Sequence, residues 1–269
     1  MKPIPVAIHL GPFQLHTYGL GLAITFWFAY RYLSRRLRDH GWDDAWLRPV
    51  TVWVIVAALV GARVVHVVAN ASLYFSHPIQ IPQVWNGGLS SFGGLLFGVP
   101  TGFVLARRRG PDIGSARMAD LVAPVLLAAW TVGRILGPQL MIRGGGHPTH
   151  QWFGMYYAGE VGKRLPVPIF QSLMTLATLL IVWRVERVMT RRGGPSGVVA
   201  AVAVALWGTG RFWEEHLWLA YPGHPGAVAV QAAGIALAVV GAGTAAALLV
   251  RQRRQQPVQP APPATSVPA

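Results

Sequence analysis

The chain has 269 residues, of which 53% are hydrophobic and only 12% charged, and its mean hydropathy is +0.42. That composition excludes an ordinary water-soluble globule and belongs to the multi-span membrane class. Cysteine is absent, so disulfides, thiolate metal sites and a cysteine nucleophile are excluded, and the net charge of +14 bears on function only through where it sits.

Seven apolar segments approach the ~20 residues needed to cross about 30 Å of hydrocarbon. They run over 14–34, 49–69, 90–106, 119–138, 167–183, 197–217 and 227–250. The first opens with His16-Thr-Tyr18-Gly19, where a tyrosine is commonly an interface anchor. A lone Lys2, a long apolar run and no small-residue cleavage site argue against a cleavable signal peptide. The second segment carries Arg63. Entry to the third is Trp85-Asn-Gly-Gly-Leu-Ser90-Ser-Phe92-Gly93-Gly94, whose glycines permit close approach of a ligand or of a neighbouring helix. Arg134 lies near the end of the fourth.

The stretch 141–166 is too polar and glycine-rich to span and is expected to form a small outward-facing element. His147 and His150 alone do not make a metal site, so no metal and no cofactor is expected. The sixth segment ends in Arg211-Phe-Trp-Glu-Glu215-His216. Arg211 and Glu215 are four apart and fit an intramembrane ion pair, while Glu214 is expected to face elsewhere, toward the outer interface. Residues 1–250 thus read as one seven-helix domain and the Pro/Ala-rich 251–269 as a disordered cytoplasmic tail.

Basic clusters alternate between the segments. Arg31 lies at the end of the first and Arg35, Arg36, Arg38 and Arg48 follow it; Arg107, Arg108, Arg109 and Arg117 follow the third; Arg184, Arg187, Arg191 and Arg192 the fifth; Arg251, Arg253 and Arg254 the last. The positive-inside rule then gives an outside N-terminus and a cytoplasmic C-terminus. Topology and anionic headgroups account for the positive charge, and nucleic acid is not an expected partner.

An arginine at the centre of a spanning helix costs roughly 2.5–3.5 kcal/mol. In the expected topology Arg63, Arg134 and Arg211 all fall in the outer halves of inside-to-outside helices. Each could snorkel separately to the interface. Three cations at one depth could equally converge on one anion, for which a phospholipid phosphate is the most available, and the shared site is the favoured reading.

These pieces, in this order, resemble the prolipoprotein diacylglyceryl transferase family. The resemblance is carried by Leu15-His-Thr-Tyr-Gly-Leu20, Gly61-Ala-Arg63, Trp85-Asn-Gly-Gly-Leu-Ser90 with Gly93-Gly94, Asp120-Leu-Val-Ala-Pro124, Gly133-Arg134-Ile135, Trp152-Phe-Gly154, Gly210-Arg211 with Glu215, and Gln231. It implies an all-α fold of about seven transmembrane helices with a small periplasmic head, in the bacterial inner membrane. It further implies transfer of a diacylglyceryl group from phosphatidylglycerol to the thiol of a lipobox cysteine in a prolipoprotein signal peptide, releasing glycerol phosphate. By the same resemblance Arg134 binds the lipid phosphate, with Arg63, Ser90, Gly93 and Gly94 also in substrate binding, and Arg211, Glu215 and Tyr18 are catalytic.

The chain departs from the family pattern at several points. Phe92 stands where the family often has a histidine before the paired glycines, Trp207 where it has a tyrosine, and Val167-Pro168-Ile-Phe-Gln171 replaces a His-Pro-x-Gln-Leu-Tyr run. The phosphate-binding residues are kept better than the proton-transfer residues. An active enzyme with another base is therefore weighed against a noncatalytic paralogue that binds a phospholipid or a lipoprotein signal segment. A transporter is disfavoured, because neither an inverted repeat nor a pair of broken helices is visible.

Overall fold

The computed structural model of the chain describes residues 7–10, 13–84, 88–137, 144–216 and 225–255, with side chains placed at 17–84, 88–90, 93–137, 144–216 and 228–255. Eight helices form among these residues: α1 Thr17–Asp39, α2 Leu47–Ala69, α3 Ala71–Ser76, α4 Ser91–Arg109, α5 Ser115–Leu136, α6 Val167–Arg192, α7 Val198–Glu214 and α8 Pro225–Gln255. Each of the seven expected apolar segments coincides with one of them, and α3 is an additional short turn of helix. Four meet the length and apolarity needed to cross a membrane: α2, α5, α6 and the Val228–Gln255 part of α8. The protein is a helical, multi-pass membrane protein.

A hairpin that the sequence reading did not include precedes the helices. Strands β1 (Ala7–Leu10) and β2 (Phe13–His16) pair antiparallel, from Ala7 opposite His16 to Leu10 opposite Phe13. Helix α1 consequently begins at Thr17, three residues later than the expected segment start.

Local sequence explains where α6 stops and α7 starts. Pro168 sits in the first turn of α6, where the missing N–H has no intrahelical acceptor in any case. The Arg192-Gly-Gly-Pro-Ser-Gly197 break closes α6 on Gly193 in the left-handed region (φ +60°) and opens α7 from Gly197 (φ +99°). Pro100 and Pro124 are housed inside α4 and α5, as prolines often are in membrane helices.

The chain forms two compact units, residues 23–121 and residues 1–22 with 122–269. In the first, α2 packs on α4 through small residues. A Cβ on Gly93 would lie 2.1 Å from the Gly61 carbonyl oxygen, one on Gly61 2.5 Å from that of Gly93, and Ala58 faces Gly98. Asp44 ties the end of α1 to the next loop, accepting from Ser34 Oγ and from Arg38 Nη1 at 3.0 Å.

In the second unit α7 packs on α8 by the same device. A Cβ on Gly208 would stand 2.7 Å from the Gly234 carbonyl oxygen, and one on Gly241 2.5 Å from the Ala205 nitrogen. Ser172 Oγ donates to the Thr131 carbonyl oxygen at 2.8 Å, joining α6 to α5. Residues 144–165 hold no helix; they are folded by main-chain bonds such as Gly146 N to Leu165 O (2.9 Å), Thr149 N to Lys163 O (3.0 Å) and Met155 N to Arg164 O (3.0 Å).

Apolar side chains remain uncovered along the long helices. Trp53 is 56%, Leu180 54% and Val239 65% exposed, a pattern that fits lipid-facing surface and not contact with water.

Candidate active site

Three helix ends assemble a buried polar chain. Arg134 lies in the last turn of α5, Gln171 in the second turn of α6, and Arg211 and Glu214 in the last turn of α7. A guanidinium there meets the negative end of its own helix dipole, which favours both cations. Arg134 Nη2 donates to Gln171 Oε1, Gln171 Nε2 to Glu214 Oε2 at 3.0 Å, Arg211 Nη1 to the same Glu214 oxygen at 2.6 Å, and Arg211 Nη2 to Glu215 Oε2 at 3.2 Å. Gln171 and Glu214 are almost wholly buried, at 0% and 2% exposure.

The charges in this chain are unevenly compensated. Arg211 is paired with two carboxylates, whereas Arg134 is hydrogen-bonded to a neutral carboxamide. Arg134 Nε is buried without a hydrogen-bond partner among the described residues. Glu214, Arg211 and Tyr18 are ionisable groups close to it. The end of the chain that can receive an anion is therefore Arg134.

Tyr18 is brought to this place by glycine packing. The start of α1 presses Gly21 against the Leu136 backbone, and Tyr18 Cε2 lies 3.4 Å from where a Cβ on Gly137 would be. Trp130, one turn before Arg134, presents its ring to the guanidinium carbon at 5.5 Å and stands perpendicular to the Trp207 ring, with centroids 5.4 Å apart.

The sequence reading paired Arg211 with Glu215, and that pair is present. Glu214, expected to face the outer interface, is instead buried and holds Arg211 and Gln171 together. The signal was available in the spacing, since positions three and four apart both share a helix face. Gln171 stands in the sequence only as part of a divergent motif, and nothing local to it announces a partner on α7.

Arg134 and Arg211 are thus brought into one site. Arg63 belongs to the other unit, where it is 7% exposed and clasps main chain: Nε donates to Ile81 O at 2.7 Å, Nη1 to Gly88 O at 3.0 Å, and Nη2 to Gln80 O. Its guanidinium carbon also stands 5.1 Å from the Tyr74 ring centroid. These carbonyl oxygens offset part of its insertion cost.

Gly88 must be glycine for this clasp, with φ +75° and a would-be Cβ 2.7 Å from Arg63 Nη1. The Ser90 amide donates to Ala62 O at 2.9 Å, and Gly93 lies in the α2–α4 contact with Gly94 beside it. Trp85, Asn86, Gly87, Pro138, Gln139, Arg143 and the tail beyond 255 lie outside the described residues, as do the side chains of His16, Ser91 and Phe92. Among the described residues no three His, Asp or Glu side chains are grouped to hold a metal ion.

A family model described as prolipoprotein diacylglyceryl transferase matches residues 5–257, a span that includes every residue of this site. The chain belongs to the prolipoprotein diacylglyceryl transferase family. A relative from Nitratidesulfovibrio vulgaris, named phosphatidylglycerol–prolipoprotein diacylglyceryl transferase, is 32% identical over 218 residues, covering 78% of this chain and 80% of its own length. A Geobacillus kaustophilus protein of the same name is 30% identical over 227 residues, with 78% and 79% coverage. One from Frankia alni is 31% identical over 238 residues; there the match covers 80% of this chain and 58% of the Frankia protein. These relatives are bacterial, and their name describes a transferase.

Proposed function

We propose that this chain is a phosphatidylglycerol–prolipoprotein diacylglyceryl transferase of the bacterial inner membrane, with seven spans, an outside N-terminus and a cytoplasmic C-terminus. The observation that carries the reading is the buried chain Arg134–Gln171–Glu214–Arg211–Glu215 beside Tyr18, in a sequence that matches the family from 5 to 257. Its acceptor is the thiol of a lipobox cysteine. The sulfur forms a bond to the glyceryl carbon of the lipid, the carbon–oxygen bond to phosphate breaks, and glycerol phosphate leaves with the bond's electron pair.

Arg134 binds the phosphate and stabilises the charge that grows on the departing oxygen, the role in which a preorganised guanidinium is most effective. Arg211 is held by its two carboxylates and completes the electrostatic wall of the site. The thiol proton goes to a base, because a free cysteine is mostly protonated at neutral pH. With Phe92 at the family's histidine position, Glu215 is that base: it is less buried than Glu214 and has one hydrogen bond among the described residues, from Arg211. Tyr18 contacts the headgroup. Arg63, Ser90, Gly93 and Gly94 belong to substrate binding by their family motifs, and the clasp made by Arg63 supports a role in shaping the 80–90 segment.

The test is complementation of a bacterial strain depleted of its own transferase. The wild-type chain is expected to restore growth and lipoprotein lipidation, and Arg134→Ala to cut transfer by about 10²–10³-fold at equal membrane abundance, the scale for removing one preorganised donor. Normal insertion with no transfer to a lipobox peptide would overturn the enzyme reading. Phosphatidylglycerol binding retained in that case would make the chain a noncatalytic lipid-binding member of the family.

A further inference from the structure

Two donors on one face of α5 are buried without an acceptor. Neither Trp130 Nε1 nor Arg134 Nε has a hydrogen-bond partner among the described residues. They lie four residues apart, so they are neighbours on the helix surface. Proteins rarely leave a buried N–H unmade, because its desolvation is then uncompensated. The remaining orphaned donor among the described residues, Arg164 Nε, has a carboxylate oxygen of Glu160 3.9 Å away.

An interface-anchor role does not explain Trp130. Anchoring tryptophans hold their N–H in the wet headgroup layer, whereas the Trp130 nitrogen is buried. Its ring is also fixed on two sides, by Trp207 at right angles with ring centroids 5.4 Å apart and by the Arg134 guanidinium at 5.5 Å. A fixed, neutral, donor-only group beside a cation suits an oxygen-rich anion: it adds a hydrogen bond and no like-charge repulsion.

We propose that Trp130 is a second donor in the lipid site, its indole N–H bonding an oxygen of the same phosphoglycerol group whose phosphate Arg134 binds. This assignment rests on the proposed function for the identity of the lipid. Trp130 does not take part in proton transfer; it orients the headgroup.

Trp130→Phe removes the indole donor and keeps an aromatic face for Arg134, at the loss of the second ring's packing volume. Binding of phosphatidylglycerol to the purified full chain in lipid nanodiscs, read as lipid-dependent thermal stabilisation, is expected to weaken about five- to tenfold in this variant, the worth of one hydrogen bond. Melting without added phosphatidylglycerol should fall slightly, since the smaller ring leaves a cavity, and in the transfer assay KM should rise while kcat changes little. Equal affinity of wild type and variant would overturn the proposal.

If Trp130→Phe does not accumulate, 3-benzothienylalanine at position 130 replaces the N–H by sulfur at nearly constant ring size, and the same comparison decides. Glycerol phosphate titrated in place of lipid separates the two sources of this chemistry. Stabilisation by the soluble ester but not by phosphatidylglycerol would overturn the lipid assignment. A wild type that binds phosphatidylglycerol through the Trp130 N–H yet transfers nothing would remove the enzyme and leave this site standing.

Discussion

Glu214 and Glu215 are adjacent acids with different tasks. Glu214 Oε2 accepts from both Gln171 and Arg211, at 3.0 and 2.6 Å, and its side chain is 3% exposed; Glu215 has the longer 3.2 Å contact and is 13% exposed. Removing one partner of a buried ion pair leaves an uncompensated charge and costs about 3–5 kcal/mol. Glu214→Ala should therefore lower the melting temperature clearly and abolish lipid transfer, because Arg211 and Gln171 both lose their anchor. Glu215→Gln should leave the melting temperature nearly unchanged and reduce transfer, as loss of a proton acceptor does. Thermal denaturation in detergent beside a transfer assay checks the pair, and the reverse ordering would contradict the assigned roles. Residue type and spacing made Arg134, Arg211 and Glu215 legible in the sequence, since charges in an apolar run stand out. Gln171 was not legible, because a neutral amide near a helix start has no such contrast and its partners are 37 and 43 positions away.

Helices here approach each other where glycines allow it. The would-be Cβ of Gly208 meets the Gly234 oxygen at 2.7 Å and the Ala238 nitrogen at 2.8 Å, both main-chain atoms that cannot swing aside. In contrast, Gly243 on α8 has nothing within 4 Å. Gly208→Ala is expected to destabilise by about 1–3 kcal/mol, the usual cost of overpacking. Gly243→Ala should be neutral or slightly stabilising, through the better helix propensity of alanine. Melting of the two variants in detergent reads the difference, and equal behaviour would refute the close α7–α8 contact. The seven helical segments could be read from apolar length, but not which glycines face which helix, because that choice is made by tertiary packing. The β1–β2 hairpin went unread for a different reason: its strands are four residues each, too short for an alternation to declare itself against an apolar helix start.

At the scale of the whole molecule, the proposed orientation rests on which helix ends carry the cations. Helices α1, α4, α6 and α8 finish on Arg36 and Arg38, on Arg107, Arg108 and Arg109, on Arg191 and Arg192, and on Arg253 and Arg254. Helices α2, α5 and α7 have only His66, Arg134 or Arg211 in the last turn, and the two arginines are bound inside the fold or its site. A cation at a helix C-terminus is favoured by the dipole wherever the helix is, but that effect applies equally to all seven. The proposed orientation, with Lys and Arg kept to one side of the membrane, accounts for clusters that recur at every second end. A periplasmic reporter such as alkaline phosphatase should accordingly be active when inserted in the 144–166 element and inactive after Gly110, and a fluorescent protein fused to the C-terminus should mature in the cytoplasm. If the reporter were instead active after Gly110, the orientation would be inverted, and Arg134 and Arg211 would sit toward the cytoplasmic leaflet. A secreted acceptor thiol could not reach them there, so this one measurement tests the topology and the proposed reaction together.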